Sequence, residues 1–141
     1  MVEVGVARSF RARHRLMLAG GSVHEDTHDY RVEAVVRGAS LPATGILLDL
    51  DVLGAALAAC LAELDAADLD ALPAFAGRPT TVEIVADHIW HQVREGTAAS
   101  APLAALRVTV FESADAWAAV DRAFAEQPLA EPALAEPASR G

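Results

Sequence analysis

Two short stretches near the start of the chain decide its fold: residues 10–14 read Phe-Arg-Ala-Arg-His, and residues 24–33 read His-Glu-Asp-Thr-His-Asp-Tyr-Arg-Val-Glu. Each stretch is typical of a β-strand, in which alternate residues share one face. His24, Asp26 and His28 can therefore point to one side, and a neighbouring strand can bring His14 opposite them. These nitrogen and oxygen donors suit a zinc-type site with an open position for chemistry. The alternative interpretation is a polar strand end with solvated histidines.

The composition excludes several classes of function. The chain has 141 residues, which suits one domain with its own core. Its net charge of −9 argues against a nucleic-acid partner. The absence of lysine excludes Schiff-base chemistry, a lysine-anchored pyridoxal cofactor and the phosphate-binding lysine of a P-loop. Cys60 is the single cysteine, so neither an intrachain disulfide nor a cysteine-rich zinc site is available.

The sequence carries no signal for a membrane or for export. No apolar run approaches the about 20 residues that cross a bilayer. The N-terminus lacks the positive region, apolar core and cleavage site of a signal peptide. We therefore expect a cytoplasmic protein without a membrane partner.

The hydrophobic periodicity predicts an α+β fold. Three strands are predicted, with a weaker indication of a fourth, at Val2–Leu18, His28–Arg37 and Leu103–Glu112. Three helices are predicted, at Leu47–Leu64, from a cap at Thr80 or Thr81 to Glu95, and, as a short element, at Ala114–Glu126. Residues 127–141 are predicted to be a disordered tail, which leaves residues 1–126 as a single domain. The expected architecture is an antiparallel sheet with two helices packed on one face, whose open edges favour symmetric assembly.

The chain resembles the 6-pyruvoyl-tetrahydropterin synthase and 6-carboxytetrahydropterin synthase family over about Val4–Val120. Six pieces carry the resemblance, in the family's order and with suitable gaps: Phe10–His14, His28-Asp29-Tyr30 with the alternating strand that follows, Gly45–Leu50, Leu64-Asp65, Arg78–Glu83 and Val110–Ser113. The resemblance implies the tunnelling fold, a homohexamer built from two trimers, zinc, and active sites at subunit interfaces that take a small-molecule substrate.

The resemblance also implies a set of zinc ligands. His14 and His28 match two histidines that bind zinc in the family, and Asp26 stands at the position of the third. Aspartate is a competent zinc ligand, although its negative charge lowers the Lewis acidity of the metal. His24 is a rival third ligand if the start of the strand is bulged, and an empty site is the remaining alternative. The predicted metal ligands are His14, Asp26 and His28.

The proton-transfer groups of the family are incomplete in this chain. Ser22 occupies the position of the family's catalytic cysteine, and a serine is a poor proton acceptor without a partner base. The family's Asp-His pair reads Asp65-Ala66, so its histidine is missing. The nearest replacements are on the second strand. The candidate catalytic residues are therefore His24, Glu25 and Asp65.

Glu112 matches the glutamate that binds the N–H edge of the pterin ring in the family. A carboxylate that faces two parallel N–H donors forms strong charge-assisted hydrogen bonds. Thr80 and Thr81 can add polar contacts at a helix start, although helix capping alone also explains them. The predicted substrate-binding residues are Glu112, Thr80 and Thr81.

Three functions are compatible with these residues. The first is a zinc-dependent lyase that acts on a pterin-like substrate with altered acid–base residues. The second is a repurposed homologue that catalyses a cyclisation, dehydration or aldol-type step on a non-pterin substrate in specialised metabolism. The third is a non-catalytic binding scaffold with an empty or inert metal site. The missing cysteine and histidine favour the second over a conventional member of the family.

Overall fold

Four strands and two helices form the part of the chain that the computed structural model describes, residues 1–100 and 102–125. They follow in the order β1 (Val2–Met17), β2 (Val23–Gly38), α1 (Leu50–Leu64), α2 (Val82–Gly96), β3 (Ala105–Phe111) and β4 (Trp117–Ala123). Two 3-10 turns, Leu69–Ala71 and Pro73–Phe75, lie between the helices. None of the described helices is long and apolar enough to span a membrane. The predicted tail at residues 127–141 lies outside the described residues.

The sheet is antiparallel, and its strands lie in the order β1-β2-β3-β4. In the inner parts of the strands the even-numbered side chains are buried and the odd-numbered ones are more exposed, as the strand period of two requires. α1 packs on β1, α2 packs on β3 and β4, and the two helices contact each other. The prediction of an α+β fold with two helices on one face of an antiparallel sheet is therefore confirmed.

The predicted short helix at Ala114–Glu126 is wrong, because this segment contributes β4. β4 pairs with β3, so that Phe111 lies opposite Trp117. Burial alternates from residue to residue along β4, which is the pattern of a strand. Alanine has the highest helix propensity, and this segment is rich in alanine. Pairing with β3 and packing against α2 override that local preference.

β2 begins at Val23 rather than at the predicted His28, and this extra length creates the platform for the candidate site. β1 and β2 pair along their whole lengths, whereas β3 reaches only Arg31–Arg37 of β2. Residues 10–30 therefore form a hairpin that projects beyond the rest of the sheet. In this projecting hairpin the facing pairs are Phe10 with Tyr30, Ala12 with His28, and His14 with Asp26.

Both helices begin at a polar cap. α1 begins at Leu50 rather than at the predicted Leu47, because the carboxylate of Asp49 accepts a hydrogen bond from the backbone N–H of Asp51 at 2.8 Å. At the start of α2 the hydroxyl of Thr81 accepts a hydrogen bond from the backbone N–H of Ile84 at 3.3 Å. Of the two residues predicted as this cap, Thr81 is therefore the one that caps the helix.

The segment of residues 65–70 covers half of the outer edge of β1. It accepts hydrogen bonds from three backbone N–H groups of the strand: Arg11 to Asp65 Oδ1 at 2.9 Å, Arg13 to the carbonyl of Ala67 at 3.0 Å, and Arg15 to Asp70 Oδ2 at 2.6 Å. In the described part of the chain, the outer edge of Val2–Ser9 in β1 and the outer edge of β4 have no neighbouring strand. Uncovered edges of this kind can pair with another chain.

Asp87 of α2 joins the helix to β4. Its Oδ1 accepts a hydrogen bond from Arg122 Nη2 at 2.7 Å, and its Oδ2 lies 3.5 Å from Arg78 Nη2. Burial alone would raise the pKa of Asp87. The hydrogen bond and charge of Arg122, with the charges of His91 and Arg78, outweigh burial and hold the pKa below its usual value. The charged form of Asp87 therefore stabilises the fold.

Asp87→Asn is expected to lower the free energy of unfolding by about 1–2 kcal/mol near neutral pH, because asparagine can still accept from Arg122 but carries no negative charge to strengthen the hydrogen bond. The folded-state pKa is depressed, so this contribution is present above the unfolded-state pKa of about 4 and disappears as the pH falls through the folded-state value. Urea unfolding of both proteins over a pH series measures the difference. The two stabilities should converge at acid pH, and a difference that persists there would contradict this origin.

Candidate metal centre

Three side chains with metal-binding atoms converge on the inner face of the projecting hairpin. His14, Asp26 and His28 each offer one ligand atom, and these atoms lie within 4.8 Å of one another. His14 of β1 faces Asp26 of β2, and His28 is two residues further along the same face of β2. His14 is buried, whereas the side chains of His28 and Asp26 are 21% and 43% exposed. The cluster therefore has a buried back and an open front.

The ring of His14 is held by the residue that precedes the cap of α2. Its Nδ1 lies 2.8 Å from the carbonyl oxygen of Thr80. Because a carbonyl can only accept, Nδ1 is the donor, and the neutral ring keeps Nε2 free to bind a metal. A backbone carbonyl in this position is the usual outer-shell partner that orients a metal-binding histidine.

The geometry favours Asp26 over His24 as the third ligand. Nε2 of His24 lies 2.9 Å from Oδ2 of Asp26, and the side chain of His24 is 57% exposed. Nε2 of His28 lies 4.0 Å from the same oxygen. Asp26 therefore stands between the two histidines of β2, and its carboxylate lies closer to His24 than to His28.

The donor set suits a divalent metal of the zinc type. Two neutral imidazoles and one carboxylate are ordinary zinc ligands, and three protein ligands leave a coordination position for another molecule. Imidazole also suits copper, iron and nickel ions. The open front of the cluster gives a small molecule access to such a position.

Tyr30 forms a wall beside the cluster that sequence reasoning did not assign. Its ring stacks on Phe10 with the centroids 4.6 Å apart and meets His28 edge-on at 5.4 Å. Its hydroxyl is buried and has no hydrogen-bond partner among the described residues. Burial, and after it the charges of nearby carboxylates, raises the pKa of Tyr30. The signal in the sequence was its position two residues after His28, on the same face of the strand.

Glu112 is close enough to Tyr30, the wall of the cluster, for its charge to act on that residue. Among the charges that raise the pKa of Tyr30, that of Glu112 has the largest effect, ahead of Asp26 and Asp70. Glu112 is half-buried and directly follows β3. Its carboxylate is thus near the wall of the cluster and still reachable by a ligand.

His24 is the predicted catalytic residue that contacts the cluster. Glu25 lies on the opposite face of β2, where its Oε2 is 3.3 Å from Arg13 Nε and 3.8 Å from Arg15 Nη1. Asp65 follows the last residue of α1, and its carboxylate accepts the hydrogen bond from the backbone of β1 described above. Glu25 therefore points away from the metal donors, and Asp65 is engaged by the strand edge.

Thr80 and Thr81 make their observed contacts within the protein. Thr80 is fully buried, and its hydroxyl lies 3.2 Å from Oδ1 of Asp70. Thr81 caps α2. Sequence reasoning missed the contact of the Thr80 carbonyl with His14, because the two residues are separated by 66 positions and no local pattern connects them.

Ser22 and Ala66 occupy the two positions at which the resemblance leads us to expect a catalytic cysteine and histidine. Ser22 is exposed in the turn between β1 and β2. Cys60, the single thiol, is buried in α1, and burial together with the charge of Glu63 raises its pKa to about 12. A buried thiol of this kind is chemically inert, so Cys60 does not replace the missing cysteine.

Ala66 has a φ of 62°, in the left-handed region that L-residues disfavour. Ala66→Gly is expected to raise the free energy of unfolding by about 0.5–1 kcal/mol, because glycine adopts this conformation without strain. Chemical denaturation measures the change. Ala67→Gly is the matched control and is expected to lower stability by a similar amount, since only its chain entropy changes. If both variants changed the free energy of unfolding in the same direction, the backbone of Ala66 would not be strained.

Comparison with known proteins identifies relatives of the chain. A family model described as 6-pyruvoyl tetrahydropterin synthase matches residues 3–123. No curated protein matches the chain. Solved structures of 6-pyruvoyl tetrahydropterin synthases do match it, from Caenorhabditis elegans (22% identity, 86% of this chain and 96% of that chain, TM-score 0.72), Plasmodium vivax (19%, 86% and 98%, 0.72) and Plasmodium falciparum (18%, 86% and 98%, 0.73). At these identities the likeness shows a shared fold.

Proposed function

The chain belongs to the 6-pyruvoyl tetrahydropterin synthase family, and from that premise we propose that it is a zinc-dependent lyase that acts on a pterin-like substrate with altered acid–base residues. The observation that carries the proposal is the cluster of His14, Asp26 and His28, whose ligand atoms lie within 4.8 Å of one another. The hydrogen bond from His14 to the carbonyl of Thr80 supports it, since such contacts orient metal-binding histidines.

His14, Asp26 and His28 are the proposed zinc ligands. When bound, zinc supplies a Lewis acid that polarises an oxygen of the substrate. Asp26 brings a negative charge to a position where the family carries a third imidazole, so the chain offers a less electrophilic site. Nε2 of His24 lies 2.9 Å from Oδ2 of Asp26, beside that charge.

Glu112 is the proposed anchor for the pterin ring. Its charge acts on Tyr30, which lines the cluster, and this proximity supports the proposal. The N–H edge of a pterin presents two parallel donors, and a carboxylate binds such an edge through two charge-assisted hydrogen bonds. This contact would hold the ring while its side chain reaches the metal donors.

His24 is the proposed proton carrier. Imidazole is the side chain most often used for general acid–base catalysis. One ring nitrogen of His24 contacts Asp26, which fixes the ring beside the cluster, and the side chain is largely exposed to solvent. Glu25 is a weaker candidate, because it lies on the opposite face of β2 among arginine side chains.

A homohexamer of two trimers is the proposed assembly. The outer edges of Val2–Ser9 in β1 and of β4 have no strand partner in the described chain, and edges of two copies can pair with each other. The projecting hairpin also lacks β3 beside it. A neighbouring copy can therefore complete the wall of the site.

Turnover of dihydroneopterin triphosphate by metal-free and zinc-loaded protein tests the proposed function. We expect the zinc-loaded protein, but not the metal-free protein, to release triphosphate and to form a modified pterin. Asp26→Ala and His28→Ala should form neither product. Turnover that persists without metal would overturn the zinc mechanism. Absence of turnover by the zinc-loaded protein would exclude this substrate.

A repurposed homologue that acts on a non-pterin substrate is the second candidate. It is favoured by Ser22 and Ala66, which together remove the family's cysteine and histidine. The double variant Ser22→Cys with Ala66→His separates the candidates, since histidine tolerates the left-handed conformation better than most residues. A gain of pterin turnover would support the first candidate. No gain in a zinc-loaded double variant would indicate that the pocket itself has changed.

A further inference from the structure

We infer that Asp70 is a positioning residue for His14 and acts through Thr80. This inference rests on the proposed metal site. It adds a residue whose side chain contacts none of the three metal donors' side chains. Asp70 lies in the 3-10 turn Leu69–Ala71, and its two carboxylate oxygens contact different segments. Oδ2 accepts a hydrogen bond from the backbone N–H of Arg15 at 2.6 Å, and Oδ1 accepts one from the hydroxyl of Thr80 at 3.2 Å.

These contacts form a closed ring of hydrogen bonds and covalent links. Arg15 directly follows His14 in β1, so Asp70 holds the backbone beside that histidine. Through Oδ1 it also holds Thr80, whose carbonyl accepts the hydrogen bond from Nδ1 of His14 at 2.8 Å. The hydroxyl oxygen of Thr80 also lies 3.4 Å from the carbonyl oxygen of Arg15. Asp70 therefore fixes both the base of the His14 side chain and the group that its ring contacts.

A fixed carbonyl selects one form of the His14 ring. With Nδ1 donating to Thr80, the neutral ring keeps its proton on that nitrogen and presents Nε2 to the cluster. If Thr80 were free to move, the ring would divide its population among tautomers and rotamers. The observed affinity for a metal falls in proportion to the fraction of molecules that is competent to bind.

Asp70→Ala and Thr80→Val test the inference, with Thr97→Val as the matched control. Thr97 is also fully buried, and its hydroxyl donates to the carbonyl of Val93 at 2.8 Å, at the far end of α2. The two measurements are the zinc dissociation constant, by competition with a chromophoric chelator, and the tautomer of His14 in the zinc-free protein, by long-range proton–nitrogen NMR.

We expect Asp70→Ala and Thr80→Val to weaken zinc binding by about 10- to 100-fold, the usual effect of losing an outer-shell partner. The same variants should lose the uniform Nδ1-protonated signature of His14. Thr97→Val should lower the unfolding temperature and leave both measurements unchanged. An unaltered His14 tautomer in Asp70→Ala would overturn the inference, and so would an equal loss of zinc affinity in Thr97→Val.

Asp70→Asn tests whether Asp70 acts through its hydrogen bonds or through its negative charge. An asparagine at this position can accept from the N–H of Arg15 through its oxygen and donate to the hydroxyl of Thr80 through its amide, so we expect nearly unaltered zinc affinity. A loss as large as in Asp70→Ala would overturn the positioning role. If the unaltered protein binds no zinc, the proposed function fails, whereas the tautomer comparison in zinc-free protein still decides the inference. If Asp70→Ala does not fold, Thr80→Val and Asp70→Asn provide the same two readouts.

Discussion

His28→Ala is expected to abolish zinc binding. His28 supplies one of the three donors in the cluster, and its removal leaves His14 and Asp26 alone. A catalytic zinc site uses three protein ligands, so the two that remain are too few. The loss of affinity should therefore exceed the about 10- to 100-fold that follows removal of an outer-shell partner. Metal analysis after dialysis and chelator competition both measure it.

His91→Ala is the matched control for this prediction. His91 lies on α2, where its Nε2 is 3.7 Å from Asp87, so its loss should leave the zinc content unchanged. Full zinc retention by His28→Ala would show that the metal binds elsewhere. An equal loss in both variants would point to general disruption of the fold, which circular dichroism of the two proteins would reveal.

Trp90→Ala is expected to have the largest effect on stability. Trp90 of α2 is fully buried, its Nε1 donates to the carbonyl of Leu106 at 2.7 Å, and the guanidinium of Arg122 lies 5.0 Å from its ring centre. Removing a buried tryptophan side chain costs about 3–5 kcal/mol. Because a domain of this kind is stable by about 5–15 kcal/mol, the variant should unfold at a much lower urea concentration.

Trp117→Ala is the matched control, because Trp117 is the second of the two tryptophans in the chain. Its side chain is 59% exposed at the start of β4, and we expect a change within about 0.5 kcal/mol of zero. A similar loss in both variants would contradict the assignment of Trp90 to the core. The variant Trp117→Phe also leaves Trp90 as the sole tryptophan reporter of unfolding.

The local pattern of the sequence predicted which residues of the projecting hairpin share a face, because burial follows that pattern closely. Phe10, Ala12 and His14 are buried, and the arginines between them are exposed. The same period of two placed Asp26 and His28 on one side of β2. The face of Glu25 also follows from its odd position, which argues against its role as a base beside the metal donors.

The features that sequence reasoning missed depend on distant contacts or on competition between preferences. β4 was predicted as a helix because its alanines favour one, and pairing with β3 decides otherwise. The support of His14 by Thr80 and Asp70 depends on the path of the chain between the two helices. The hydrophobic periodicity of β1 and β2 carries no information about that path.

The half-covered edge of β1 also limits how copies of the chain can polymerise. β1 has 16 residues, but the covering segment leaves only Val2–Ser9 open, close to the seven residues of β4. When β1 of one copy pairs with β4 of the next, a closed ring of copies leaves neither edge open. A fully open strand of 16 residues would offer a template for amyloid-type stacking. The segment of residues 65–70 therefore shortens the part of β1 that another chain could use as such a template.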